Sequence, residues 1–165
     1  MGFPNVINIA EAEVFNTYTV ENAPVGQKAQ LPDGRIFRFT EAGATALVAG
    51  DVHQGVVPHT DFTDEAVGTL AAGIRVLTGV GSTNTNVAVD LLKYGYVYSD
   101  SLVVATFMPM HRIKSNTLIT AAAETGTITL YTPLRLATLI GTTISYFRNP
   151  WRDVIIAAAG ATALC

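Results

Sequence analysis

The chain has 165 residues and a net charge of −3, with 49% hydrophobic, 14% charged and 8% aromatic residues. That length accommodates one domain with its own core, or at most two small ones, and the composition excludes a disordered chain. The Lys and Arg residues occur singly, which excludes the dense basic patch that a nucleic-acid backbone requires, and no run approaches the roughly 20 apolar residues of a membrane-spanning helix.

The single cysteine, Cys165, excludes an intramolecular disulfide. The opening stretch "MGFPNVINIAEAEVF" has no basic start and carries Glu11 and Glu13, so it does not read as a secretory signal. Both features fit synthesis in a reducing cytoplasm. Thr outnumbers Ser by 21 to 5, and Gly contributes 14 residues. Thr favours strands and Gly marks turns. The expected fold class is therefore all-β: a compact β-sandwich or barrel-like domain of short antiparallel strands, with one or two short helices at most.

Residues 1–16 show neither a helical stripe nor clean alternation and read as an extended N-terminal arm or an edge strand. Residues 17–165 then form a single β-rich domain. "NTYTV" (16–20) reads as a short strand, and "PVGQKAQLPDG" (24–34) as a strand ending in an Asp33-Gly34 turn. In "RIFRFT" (35–40), period two puts Phe37 and Phe39 on one face, the expected core face. Gly43, Gly50 and Gly55 punctuate the next stretch into "TALVAG" and "DVHQGVV". "TDEAVGTLAAGI" (63–74) carries helical spacing at Val67, Leu70, Ala71 and Ile74 behind a Thr63 cap, which Gly68 and Gly73 weaken. "GIRVLTGV", "GYVYSD", "LVVATFM", "HRIKSN", "GTITLY", "TTISYF" and "DVIIAAAG" complete the strands, and "VAVDLLKYG" is a helical turn or a strand.

The richest polar cluster, "DVHQGVVPHTDFTDE", holds Asp51, His53, His59, Asp61, Asp64 and Glu65. Its spacing matches no metal motif, so these side chains read as solvated loop residues, and neither a metal nor a cofactor is expected. "GVGSTNTN" (79–86) lacks the signatures of a dinucleotide or P-loop and reads as a turn. There is no nucleophile elbow around any serine, so catalysis is not expected. Trp151, the only Trp, lies between Arg148 and Arg152, which suggests a cation–π spot or a Trp closing the end of a sandwich. The low-charge Gly-Ala-Thr surface suits close packing against copies or partners.

"LPDGRIFRFTEAGATALVAGDVHQG" (31–55), followed in order by "AAGIRVLTGV", "YGYVYSD", "HRIKSNT" and "ITLYTPLRLATLIGTTISYFRNPWRDVI", resembles structural proteins that tailed bacteriophages encode beside their head genes. The likeness spans about residues 24–156. It implies a virion protein that decorates or cements the capsid exterior, is made in the host cytoplasm, and is often a homotrimer. The implied partners are the major capsid protein and further copies of the chain, with no nucleic acid, membrane or small-molecule substrate. On that reading Phe3, Pro4, Val6, Ile7 and Ile9 of the arm, Gly43, Ala44 and Thr45 of the small-residue stretch, and Trp151 contact partners. The competing expectations are a tail, neck or fibre component, and a carbohydrate- or host-surface-binding module whose aromatic platform would come from Trp151, Tyr146 and Phe147.

Overall fold

The structure is a computed structural model that describes residues 6–48, 53–56, 59, 62–99, 110–122, 125–137 and 142–157. The expected all-β class holds: among the described residues there is no α-helix, only a 3-10 turn at Glu11–Glu13 and short strands. The chain forms two compact units, Met1–Val57 with Pro150–Cys165, and Pro58–Asn149.

In the first unit, β1 (Val6–Asn8), β2 (Lys28–Gln30) and β3 (Ile36–Arg38) form a three-stranded sheet in that order. β1 runs parallel to β2, with Val6 opposite Lys28 and Asn8 opposite Gln30. The expected arm is therefore, over these residues, an edge strand of the chain's own sheet. The β2–β3 connection is the predicted Asp-Gly turn: Gly34 sits at φ +93 and its N–H donates to Leu31 C=O at 3.0 Å, a backbone conformation that glycine adopts without steric cost. Arg35 clamps the turn, donating to Asp33 at 2.7 Å and to Glu11 at 2.8 Å. β4 (His53–Gln54) pairs antiparallel with β11 (Ile155–Ile156). The "NTYTV" and "TALV" stretches form no strand among the described residues.

The second unit holds β5 (Glu65–Ala66), β6 (Val76–Val80), β7 (Tyr96–Ser99), β8 (His111–Asn116), β9 (Gly126–Leu130) and β10 (Thr143–Phe147). They form one antiparallel sheet in the order β5-β10-β7-β8-β9-β6. Just past β5, Gly68 N–H donates to Thr78 C=O on β6 at 3.2 Å. That bond brings the chain just past β5 against β6 at the other end of the sheet, so the sheet curls toward a barrel. Alternate residues turn inward: Leu77 and Val80, Val97, Ile113, Ile128 and Leu130, Ile144 and Tyr146 are all buried. Phe62, Leu70, Val87, Leu92, Ile119 and Leu134 from the connections close the core. Each such side chain contributes about 1.5–3 kcal/mol on burial, so this unit carries the main core.

The helical spacing at 63–74 does not produce a helix. Asp64 adopts φ 56, which breaks a helical first turn, and β5 pairs with β10 instead. Val67 and Leu70 still reach the core. "VAVDLLKYG" forms successive turns rather than a strand. Buried Asn116 on β8 fastens them: its Oδ1 accepts from Leu92 N–H at 2.9 Å, and its Nδ2 donates to Ala88 C=O at 2.8 Å and Thr117 C=O at 2.7 Å.

Candidate interaction surfaces

In the first unit several large apolar residues stay outside the core. Among the described residues its buried hydrophobic side chains are Ala23, Val25, Ala29, Leu31 and Val154. Larger side chains stay outside: Phe15 is 78% exposed, Val20 77% and Ile36 54%, and Tyr18, Val48, Trp151 and Ile155 are exposed too. Single exposed apolar residues are ordinary; here Phe15, Ile36 and Trp151 stay exposed while Ala23, Val25 and Ala29 are buried.

β3 explains part of this geometry. Ile36 and Arg38 are two residues apart and project to the same side, while Phe37 and Phe39, the expected core face, are half-buried. The Arg38 guanidinium lies over the Trp151 ring at 5.5 Å and also donates to Gly26 C=O at 2.9 Å. A cation over Trp151 thus comes from β3, outside the flanking pair Arg148 and Arg152. Arg152 pairs instead with Glu41, Nε to Oε2 at 3.3 Å, with its side chain largely buried. Glu41 N–H donates to Trp151 C=O at 2.9 Å and Val154 N–H to Glu41 C=O at 2.9 Å, so backbone bonds lock the Trp151 turn onto the 41–43 segment.

The residues expected to contact partners fall out as follows. Val6, Ile7 and Ile9 are half-buried on and just after the edge strand β1, Ala44 and Thr45 are exposed, and Trp151 is exposed at its rim. Gly43 is half-buried and its N–H donates to Val154 C=O at 3.0 Å; a Cβ there would lie 3.4 Å from both Asp153 C=O and Ile155 Cγ2, so its smallness serves close packing within its own unit. Phe3 and Pro4 lie outside the described residues.

Within the expected aromatic platform of Trp151, Tyr146 and Phe147, the two β10 residues do not share a face. Tyr146 and Phe147 are neighbours on a strand and therefore face opposite sides. Tyr146 is fully buried, its hydroxyl donating to Gly81 C=O at 2.8 Å and its ring stacked on Phe62. Phe147 faces outward and stacks on Tyr98 at 5.5 Å, and Trp151 belongs to the other unit.

Register creates a different row that sequence reading missed. Phe147 lies opposite Tyr96, and Tyr96 opposite Arg112. Tyr131 N–H donates to Arg112 C=O at 3.0 Å, extending the row to the chain just past β9. The Arg112 guanidinium sits 5.2 Å from the Tyr94 ring and 5.7 Å from the Tyr131 ring, and the two tyrosines stack on each other. The alternation in "YVYS" and "HRIK" marks Tyr96, Tyr98 and Arg112 as outward, but no local signal says that they become neighbours.

The histidines do different things. His59 stacks on Phe62 at 5.0 Å, and His53 is exposed on β4. Asp51, Asp61 and Cys165 lie outside the described residues. Among the described residues no three His, Cys, Asp or Glu side chains stand close enough to hold a metal ion, and no helix is long and apolar enough to cross a membrane. His111 is buried at the start of β8, with Nδ1 2.9 Å from Thr132 Oγ1 and Nε2 without a hydrogen-bond partner. Burial, reinforced by the nearby Arg135 charge, lowers its pKa from the usual imidazole value.

Comparison with protein-family models, curated proteins and solved structures finds no match. The reading of function therefore rests on the geometry above and on the resemblance of the sequence stretches.

Proposed function

We propose that the chain is a structural virion protein that binds the outer surface of a capsid shell and cements contacts between its subunits, without catalysis. Its partners in this role are the major capsid protein and neighbouring copies of itself, as a trimer. One observation supports the reading above the others: the first unit buries small apolar residues and presents Phe15, Val20, Ile36 and Trp151 to solvent. Covering a side chain of that size contributes about 1.5–3 kcal/mol, so a handful of them supports stable docking to a protein surface. Among the described residues the edge strand β1 pairs on one side only, which leaves alternate backbone groups available for strand addition.

The deciding measurement is quantitative mass spectrometry of purified particles, giving copies of this chain per major capsid protein. A simple ratio repeated over the shell is expected. A few copies per particle would make it a tail, neck or fibre component, and absence from particles would overturn the virion reading. Phe15→Ser and Ile36→Ser are each expected to weaken attachment by about 10- to 150-fold with the circular dichroism spectrum unchanged.

A further inference from the structure

The outward face of the six-stranded sheet carries a row of side chains that the docking role of the first unit does not use. Phe147, Tyr96, Arg112 and Tyr131 stand side by side across β10, β7, β8 and the chain just past β9. With strands about 4.8 Å apart, the row is roughly 14 Å long. Tyr96 is 39% exposed. At the bulge of β8 between Ile113 and Ser115, Lys114 is exposed beside the row.

Two further observations mark the row as built. Tyr94, whose ring flanks Arg112, holds a left-handed backbone with φ 65, a conformation that costs a bulky residue of order 1 kcal/mol or more. It is held there by its N–H donating to Ile113 C=O at 2.9 Å and by Asn149 Nδ2 donating to its C=O at 3.3 Å. Second, the charge is one-sided. No outward position on the described strands of this sheet carries a carboxylate, and among the described residues no acidic side chain pairs with Arg112 or Lys114. Arg112 is exposed, yet its guanidinium lies against two rings, and such a cation pairs well with an anion that brings its own apolar surface.

We propose that this face binds an acidic oligosaccharide, a glycan whose sugar rings lie along the aromatic row and whose carboxylate or sulfate meets Arg112 and Lys114. The C–H faces of a pyranose pack on Tyr96 and Tyr131, as apolar surface does on any aromatic ring. The hydroxyls of Thr127 and Thr129, outward on β9, meet sugar hydroxyls. A single-stranded nucleic acid would use the same rings, but its regular phosphates call for a longer run of cations than Arg112, Lys114 and Lys93, whose ammonium lies 4.9 Å from the Tyr94 ring. Charge count and hydroxyl supply favour the glycan.

The test is a titration of the full chain, followed by NMR, with hexasaccharides bearing uronate, sialate or sulfate groups. A neutral hexasaccharide and a thymidine hexanucleotide serve as comparisons. At least one acidic glycan is expected to bind in the micromolar to millimolar range and to shift the amides of Tyr96, Arg112 and Tyr131. It is expected to bind at least tenfold tighter than the neutral one and to weaken as salt rises. Tyr96→Ala and Arg112→Gln should each lose tenfold or more. Lys114→Ala, which removes only an exposed charge, should lose two- to fivefold with an unchanged spectrum, so a folding defect in Arg112→Gln leaves the proposal testable. Equal binding of neutral and acidic glycans, tighter binding of the hexanucleotide, or no binding at millimolar glycan would each overturn it. Particle copy number is independent of these outcomes, so this proposal and the docking role of the first unit stand or fall separately.

Discussion

Replacing Asn116 tests whether one side chain holds the 88–94 turns, and with them Tyr94, in place. Asn116→Ala removes three hydrogen bonds, to Leu92 N–H, Ala88 C=O and Thr117 C=O, at 2.9, 2.8 and 2.7 Å. At a net value of about 0.5–1.5 kcal/mol each, they sum to roughly 1.5–4.5 kcal/mol. Asn116 is buried, so the stranded backbone groups push the cost above the lower end, to about 3 kcal/mol. For a unit of this size a loss of 1 kcal/mol lowers Tm by about 4–8 °C, so the expected drop is roughly 12–24 °C. Urea denaturation followed by circular dichroism gives the free energy directly, with Lys114→Ala as the exposed control expected within about 0.5 kcal/mol of the parent. Asn116→Asp keeps the acceptor for Leu92 but sets a carboxylate oxygen against two carbonyls, and should be at least as damaging as Ala at pH 7. A loss below about 1 kcal/mol for Asn116→Ala would refute the assignment of the turn's anchorage to this side chain.

Other outcomes follow from single features. The native pKa of His111 is lowered, so the unfolded chain takes up a proton first as pH falls below its own value of about 6.5. Stability is thus full above that pH and declines as pH drops, levelling off below the native pKa; His111→Gln should flatten this part of the profile in urea titrations from pH 8 to 5. The Asp33 carboxyl, which accepts from the Arg35 N–H and guanidinium, should titrate by NMR below the ordinary aspartate value and move up toward it in Arg35→Ala. Gly95→Ala should abolish folding of the second unit, because its Cβ would clash with Phe147 C=O and stand 2.9 Å from Leu92 C=O. Gly34→Ala, with nothing within 4 Å, should cost only the strain of its positive φ, about 1 kcal/mol. Soluble yield and thermal melts separate the two.

Where local alternation is strong, the sequence was readable. "HRIKSN", "GTITLY" and "TTISYF" all became strands of the second unit, and buried Ile113, Ile128 and Ile144 are what period two demands. The Asp33-Gly34 turn was equally plain, because glycine takes the positive φ there without strain. The 63–74 helix pattern failed because the left-handed Asp64 and the Gly68 bond to Thr78 on β6 outcompeted a weak helix carrying two glycines. The opposite facing of Tyr146 and Phe147 was available from strand period alone. What sequence could not supply is register between distant segments: the parallel β1–β2 pair, the Arg38–Trp151 contact and the Phe147–Tyr96–Arg112–Tyr131 row all join residues whose neighbourhood exists only after folding.

The division of the chain carries a consequence for the order of events during synthesis. The second unit, Pro58–Asn149, interrupts the first in sequence, and the first is complete only when Trp151, Val154 and β11 pair back onto Glu41, Gly43 and β4. At about 5–20 residues per second, the ribosome delivers the whole inserted unit before it delivers that closing segment. Residues 6–56 wait several seconds for it, and Trp151 cannot meet Arg38 until it emerges. The first unit, with its exposed Trp151, is therefore completed only after the larger core has been translated.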